Sequence, residues 1–246
     1  MGTAMMGAPS TRQQRVDEQK RDVTDAAWKP MYVVGAVAAL LEVGVIAGGV
    51  IVYIINPPPT TIADWFALFH RNALLGLLDL DLLMMVGTAL MGLIYFALYG
   101  ALRRAGGPLT ALATVIGLVS VTTFFASNTA FNMLVLSNQY DAATTDAERA
   151  QIMAAGRAML ATWQGSAYDV SYVLGGVAIL LFAVVMLRSN VFGKATAYVG
   201  LVLGVLMLVP ATVAGTVGIV ISLASLLPTV IWCILVARRF FALSSA

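Results

Sequence analysis

Residues 31–55 read MYVVGAVAALLEVGVIAGGVIVYII and run directly into the sequence NPPP at residues 56–59. Glu42 is the only charged residue of this stretch. A helix of about 20 apolar residues crosses the roughly 30 Å hydrocarbon layer of a bilayer. Consecutive prolines cannot continue a helix, because they lack the backbone N–H donor and clash with the preceding turn. The stretch therefore predicts a transmembrane helix that ends before residue 56.

The composition of the whole chain agrees with a membrane protein. Apolar residues make up 60% of the sequence and charged residues only 11%, whereas a soluble domain carries about 25% charged residues. The net charge of +2 is too small to indicate a nucleic-acid partner. Cys233 and His70 are the only residues of their types, which excludes an intrachain disulfide and a multi-histidine metal or haem site. We expect no cofactor and no metal.

Five further stretches have similar length and apolar character. They cover approximately residues 74–99, 109–136, 167–187, 194–214 and 216–237. Together with residues 31–55 they predict an all-α membrane protein, a bundle of six transmembrane helices over residues 31–240. Residues 1–30 are polar and predict a cytoplasmic tail.

The distribution of lysine and arginine predicts the orientation of this bundle. Five basic residues lie in the tail, and two follow the second, fourth and sixth stretches in each case. The connections on the opposite side contain only Arg71, Arg149 and Arg157. Basic residues are enriched in cytoplasmic loops, so both termini are expected on the cytoplasmic side.

One connection on the outer side is itself amphipathic. Between residues 60 and 72, the side chains of Ile62, Trp65, Phe66 and Phe69 share one face. Aromatic rings are favoured in the headgroup region of a bilayer. We therefore expect this segment to lie at the outer membrane interface.

The second long outer connection contains a helix start. Thr145 is followed three residues later by Glu148, the spacing of a capping box. An apolar stripe follows, made of Ile152, Gly156, Met159, Leu160 and Trp163. The pattern predicts an amphipathic surface helix that covers the outer end of the bundle.

Glu42 is the most informative single residue. It lies about eleven residues into the first helix, near the bilayer midplane at about 1.5 Å rise per residue. A carboxylate at this depth is costly and faces the bundle interior. No lysine or arginine lies at comparable depth in another stretch, which favours the protonated form. Glu42 is thus either a candidate intramembrane carboxyl for a proton or cation, or a neutral structural acid.

Polar residues also recur near the outer ends of the helices. They are His70, Asp79, Asp81, Asn128, Asn132 and Asp169. They indicate either an outward-facing polar pocket beneath the surface helix, or ordinary polarity of helix ends that reach water.

The motifs of several enzyme classes are missing from the sequence. It has neither the Gly-x-Ser-x-Gly nucleophile elbow nor the His-Glu-x-x-His zinc motif. We therefore expect a protein that is not an enzyme and has no catalytic residue.

Three strings of sequence resemble a known family. They are WFALF at residues 65–69, NALLGLLDLD at residues 72–81 and LRSNVFGKATAY at residues 187–198. They are similar to bacterial multi-spanning membrane proteins of the domain-of-unknown-function family 4386. The resemblance implies a bacterial cytoplasmic (inner) membrane protein and implies no substrate or catalytic residue.

The leading functional hypothesis is a non-enzymatic membrane protein. It would bind a small amphiphilic ligand at the outer polar pocket, or act as an accessory subunit of a larger membrane complex. The alternative is a small secondary transporter or proton-coupled carrier that uses Glu42. The expected partners are the lipid bilayer and either other membrane subunits or a second copy of the chain.

Overall fold

The computed structural model describes residues 26–213 and 215–245, and the regular structure in these ranges is entirely helical. Most of the predicted cytoplasmic tail, residues 1–25, lies outside the described residues. The helices are α1 (Lys29–Ile55), α2 (Ile62–Arg71), α3 (Ala73–Asp79), α4 (Leu82–Gly106), α5 (Pro108–Ser127), α6 (Ala130–Ala142), α7 (Asp146–Trp163), α8 (Ser166–Arg188), α9 (Lys194–Leu206) and α10 (Gly215–Ser245).

Five helical segments of the described chain are long and apolar enough to cross a membrane. They are α1, α4, α5 with the following α6, α8 with the preceding α7, and α10. The prediction of a multi-pass helical membrane protein is therefore confirmed. Within the described part of the predicted fifth stretch (194–214), residues 194–213, only α9 is helical, and it is shorter than the other five segments.

The long helices and α9 form a closed ring around one hydrophobic core. Going around the ring, α1 packs on α4, α4 on α5, α5 on α8, α8 on α9, α9 on α10, and α10 again on α1. Large side chains such as Tyr95, Phe182, Trp232 and Phe240 fill the centre. The outer surface of the ring exposes many valine, leucine and isoleucine side chains, as expected where the solvent is lipid.

Glycines allow the helices of this ring to approach closely. A Cβ atom on Gly204 of α9 would lie 2.9 Å from the carbonyl oxygen of Gly176 in α8. A Cβ atom on Gly35 of α1 would lie 2.4 Å from the Cβ of Ala97 in α4. In lipid, small residues at such crossings maximise the dispersion contacts that hold helices together.

The second predicted span begins later in the chain than the sequence suggests. Its first residues, 74–79, belong to the separate helix α3, and α4 starts only at Leu82. Asp81 between them has a φ of 67°, the left-handed conformation that ends a helix. The apolar run therefore bends at Asp81 and does not continue as one straight helix.

The third predicted span ends earlier than residue 136. Helix α5 stops at Ser127 and α6 starts at Ala130. The Asn128 amide donates to the Leu80 carbonyl oxygen at 3.2 Å, and its side-chain oxygen accepts from the Ala130 N–H at 3.1 Å. Asn128 thus satisfies backbone groups that a helix break leaves unpaired.

The last two predicted spans also differ from the structure. Helix α9 ends at Leu206, and turns lead to the buried Pro210. Helix α10 continues past Arg238 and Arg239 to Ser245, with Pro228 inside it.

The helices α2, α3, α6 and α7 form a second layer at one end of the ring, which we call the cap. It has its own hydrophobic core, which contains Trp65, Phe66, Phe69, Leu80 and Met133. Trp65 is only 1% exposed. The expectation that the aromatic face of residues 60–72 lies in the headgroup region is therefore wrong, because α6 and α7 cover that face.

Candidate functional site

The predicted surface helix exists as α7 and starts as its sequence indicates. The Thr145 hydroxyl accepts from the Glu148 N–H, and the Glu148 carboxylate accepts from the Thr145 N–H, so both bonds of the capping box are present. The apolar stripe of α7 packs on the cap core. Gly156 is buried, and a Cβ there would lie 2.9 Å from both Ile62 and Phe66. The predicted cover over the end of the bundle is thus a helix held against protein.

Two of the predicted polar residues meet where the cap joins the ring. The Trp163 indole N–H at the end of α7 donates to the Asp81 carboxylate at 2.5 Å. The Asn128 side-chain amide donates to the carbonyl oxygen of Leu80, the residue before Asp81, and Leu80 is fully buried. The junction therefore links α7, the start of α4 and the break between α5 and α6.

The carboxyl group of Asp81 is electrostatically unusual. Burial raises the pKa of Asp81 to about 6, and the hydrogen bond from Trp163 opposes this by lowering it. Burial raises the pKa because the charged form loses hydration. No cation pairs with Asp81 within the described residues, so its charge is stabilised mainly by the indole N–H.

The remaining predicted polar residues lie at separate places. His70 of α2 faces Asp141 of α6, with 2.5 Å between Nδ1 and Oδ2. Asn132 is exposed and its amide contacts the sulfur of Met159 at 3.6 Å. The Thr212 hydroxyl donates to the Asp169 carboxylate beyond the end of α9. Two of these contacts therefore lie within the cap, and the third lies within the ring, between α8 and the segment after α9.

Asp79, at the end of α3, borders an open groove. The groove has a volume of about 530 Å³ and is lined by residues 55–60, Asp64, Ala67, Leu68, Arg71 and Asp79. Burial raises the pKa of Asp79 to about 6. This groove carries two carboxyl groups and one guanidinium where α1 emerges from the ring.

A second groove lies between α2 and α7. Its volume is about 450 Å³, and it is lined by residues 60–63, Met153, Arg157 and Leu160. Arg157 makes no ion pair within the described residues. The sequence gives no signal that singles out Arg157, although Met153 and Leu160, four positions before it and three after it, are its neighbours on the helix surface.

Glu42 points into the ring and is 9% exposed. Its Oε2 atom has no hydrogen-bond partner among the described residues. A Cβ on Gly87 of α4 would lie 2.7 Å from Oε2 and 3.0 Å from Oε1, so the carboxyl group occupies the space that this glycine leaves. Tyr95 of α4 and Cys233 of α10 lie within electrostatic range of the carboxyl group.

The chain belongs to a family of unknown function. Residues 31–238 match the family Domain of unknown function (DUF4386), so the family suggested by the three sequence strings is confirmed. Neither the curated proteins nor the solved structures contain a match to this chain.

Proposed function

We propose that this protein is a non-enzymatic bacterial inner-membrane protein that binds an anionic amphiphile in the groove between α2 and α7. Arg157 carries this proposal, because its guanidinium is unpaired within the described residues and borders the apolar side chains of Ile62, Met153 and Leu160. A guanidinium recognises carboxylate or phosphate groups bidentately. Apolar walls beside such a cation suit a ligand with one charged head and a short hydrocarbon chain.

Calorimetric binding with the purified protein tests this assignment. The probe is a medium-chain fatty acid below its critical micelle concentration, compared with the alcohol of equal length. The acid should bind and the alcohol should bind at least roughly tenfold more weakly, a difference typical of a lost charge-assisted hydrogen bond. Arg157→Gln should remove this preference.

Arg149→Gln is the matched control for the same helix. Arg149 donates to the Ala143 carbonyl oxygen and lies over the Tyr140 ring, away from the groove. Equal binding of the acid and the alcohol, or equal losses in the two arginine variants, would contradict the proposal. Reproducible co-purification of another membrane chain whose binding masks Arg157 would favour the accessory-subunit alternative.

The proposed function requires a specific topology: six spans, with both termini in the cytoplasm and the cap outside. Single cysteines at Thr61 and Ala142 should react with a membrane-impermeant maleimide in intact cells, and cysteines at Ala105 and Ser245 should not. Both pairs are exposed positions, whereas a side chain at Gly106 would collide with Val185. Cys233 is fully buried and should give no background. External labelling at Ala105 would exclude this topology.

A further inference from the structure

We propose that Glu42 is a proton-binding site inside the bundle that exchanges its proton with the outer side along the inward face of α1. The first observation is the carboxyl group itself, which is 9% exposed with Oε2 unpartnered in the described residues. A buried carboxylate without a cation or donor is costly. Binding one proton at Oε2 removes the charge and supplies a donor.

The neighbours of Glu42 on each packed helix are chemically compatible with a proton and not with a metal ion. Helix α4 presents Gly87 and Tyr95, and α10 presents Cys233. Helix α3 also contacts α1. It contains Asp79, which lies nearer the outer end of α1 than Glu42 does. One carboxyl group and a glycine provide too few oxygen ligands for a bound cation, because hard cations take six or more.

The route to water is indicated by unequal packing along one face of α1. Gly35, Glu42 and Gly49 are spaced at seven-residue intervals and therefore lie nearly above one another. At Gly35 a Cβ would collide with Ala97, at 2.4 Å, whereas at Gly49 a Cβ would meet nothing within 4 Å. The same face is thus closed on the inner side of Glu42 and open on its outer side.

The open side leads toward the carboxyl-lined groove at the end of α1. Tyr53, on the same face, is 61% exposed, and residues 55–60 form one wall of the groove with Asp64 and Asp79. Acidic groups at this mouth provide proton acceptors that can relay protons to and from outer water. The path thus begins at Asp79, passes Gly49 and ends at Glu42.

Infrared spectroscopy of the full-length protein in lipid nanodiscs tests this proposal directly. The carbonyl stretch of a protonated carboxyl group shifts when its hydrogen exchanges for deuterium. We expect wild-type protein at about pH 6 to show a band that is missing in Glu42→Gln. Its exchange rate after transfer to D₂O reports access to the site.

Gly49→Leu and Gly44→Leu form a matched pair for the path. Both glycines are in α1 with no atom within 4 Å of an added Cβ, but Gly44 follows Glu42 by two positions and lies on the opposite face. Gly49→Leu should slow the exchange of the Glu42 band by at least roughly tenfold, and Gly44→Leu should leave it unchanged. Equal effects of the two substitutions would overturn the outward path.

A chemical measurement on unaltered protein covers the case in which Glu42→Gln does not fold. The oxygen of the protonated carboxyl group adds to the central carbon of a hydrophobic carbodiimide, and the proton moves to a carbodiimide nitrogen. No group leaves in this addition. Mass spectrometry should find this adduct on Glu42, decreasing as the pH rises to about 9. Absence of both the adduct and the infrared difference would exclude a proton on Glu42 and overturn the proposal.

Discussion

The ring of long helices and the cap bury opposite kinds of side chain. In the ring, small residues such as Gly176 and Gly204 lie inside and large aliphatic side chains face outward. In the cap, the aromatic side chains of Trp65, Phe66 and Phe69 lie inside, and residues such as Asp64 and Arg71 face outward. The cap is therefore built like a small water-exposed domain, and the ring like a protein dissolved in lipid.

This difference explains why hydropathy misplaces the start of the second predicted span and the end of the third. Helix α3 and the first half of α6 are apolar and adjoin spans, separated from them only by the short polar strings at residues 79–81 and 127–129. Other cap helices cover part of each apolar surface, while Leu74, Phe131 and Val135 stay more than half exposed. An apolar helix covered by protein and one covered by lipid have similar sequences, so apolar length alone does not distinguish them.

The largest expected effect comes from removing the centre of the cap core. Trp65 is 1% exposed and packs its ring edge-to-face on Trp163, with 6.4 Å between centroids. Trp65→Ala should lower the free energy of unfolding of the cap by about 3–5 kcal/mol. Limited proteolysis should then cut within residues 60–81 and 128–165 while the ring stays intact.

Phe131→Ala is the control for Trp65→Ala, because Phe131 is a large aromatic residue of the cap that is 52% exposed. It should leave the proteolysis pattern unchanged. If Trp65→Ala instead unfolds the ring and the cap together in a single transition, the two regions are one cooperative unit and the contrast between them concerns packing alone.

The next effect concerns the close approach of helices in the ring. Gly204→Ala places a Cβ 2.6 Å from Leu180 and 2.9 Å from the Gly176 carbonyl oxygen, so α8 and α9 must separate. We expect a loss of about 1–3 kcal/mol, measured by thermal unfolding in detergent. Gly44→Ala, in open space, should instead stabilise the fold by up to about 1 kcal/mol. Equal shifts in both variants would contradict the close packing of α8 on α9.

A smaller, pH-dependent effect is expected at the junction between cap and ring. The pKa of Asp81 is raised from 3.8 to about 6. A carboxyl group of this kind stabilises the fold fully below its unfolded pKa and loses that contribution as the pH rises through its folded pKa. Asp81→Asn keeps an acceptor for Trp163 without the charge, and asparagine tolerates the left-handed backbone conformation.

Asp81→Asn should therefore raise the melting temperature by a few degrees at about pH 8 and change it little at about pH 4. Thermal unfolding at both pH values measures this. Asp64→Asn, a change at an exposed carboxylate of the cap, is the control and should show no such difference. A destabilised Asp81→Asn protein at high pH would mean that the charged hydrogen bond from Trp163 outweighs burial.

The smallest expected effect is at the start of α7. Thr145→Ala removes the side-chain oxygen that accepts from the Glu148 N–H at 3.2 Å, at a cost of about 1 kcal/mol. Faster amide hydrogen exchange should appear in residues 146–150 only. Thr162→Ala on the same helix, which loses only a bond to the Ala158 carbonyl oxygen, should leave the start of α7 protected. Uniformly faster exchange along α7 would contradict a local cap effect.

The sequence predicted those features of the fold that depend on local chemistry or on length. The capping box at Thr145 and Glu148, and the end of α1 before Pro57, both follow from backbone hydrogen bonding within a few residues. The breaks at Asp81 and Asn128 were missed, because each depends on a partner distant in the chain. Asn128 donates to the Leu80 carbonyl oxygen, 48 residues away, and no local sequence pattern indicates that bond.

The candidate sites were predictable to a similar, partial extent. The inward position of Glu42 follows from its depth in the first helix, and the structure places its carboxyl group against Gly87. The partners of the polar residues near the helix ends could not be predicted, since His70 and Asp141 meet only after α2 and α6 pack together. Arg157 was passed over because a cation on a surface helix has the same local pattern whether or not a groove lies beside it.

The shortness of α9 has a consequence for the surrounding lipid. Its thirteen residues rise about 20 Å, whereas the hydrocarbon layer is about 30 Å thick. If α9 is the sixth span, the bilayer beside it must thin or the protein must tilt. The polar pair Thr212 and Asp169 lies beyond the end of that short helix, where a local depression of the bilayer surface would keep it hydrated. The protein would then carry a thin side and a thick side around its circumference, and bilayers of shorter acyl chains should accommodate it with less strain.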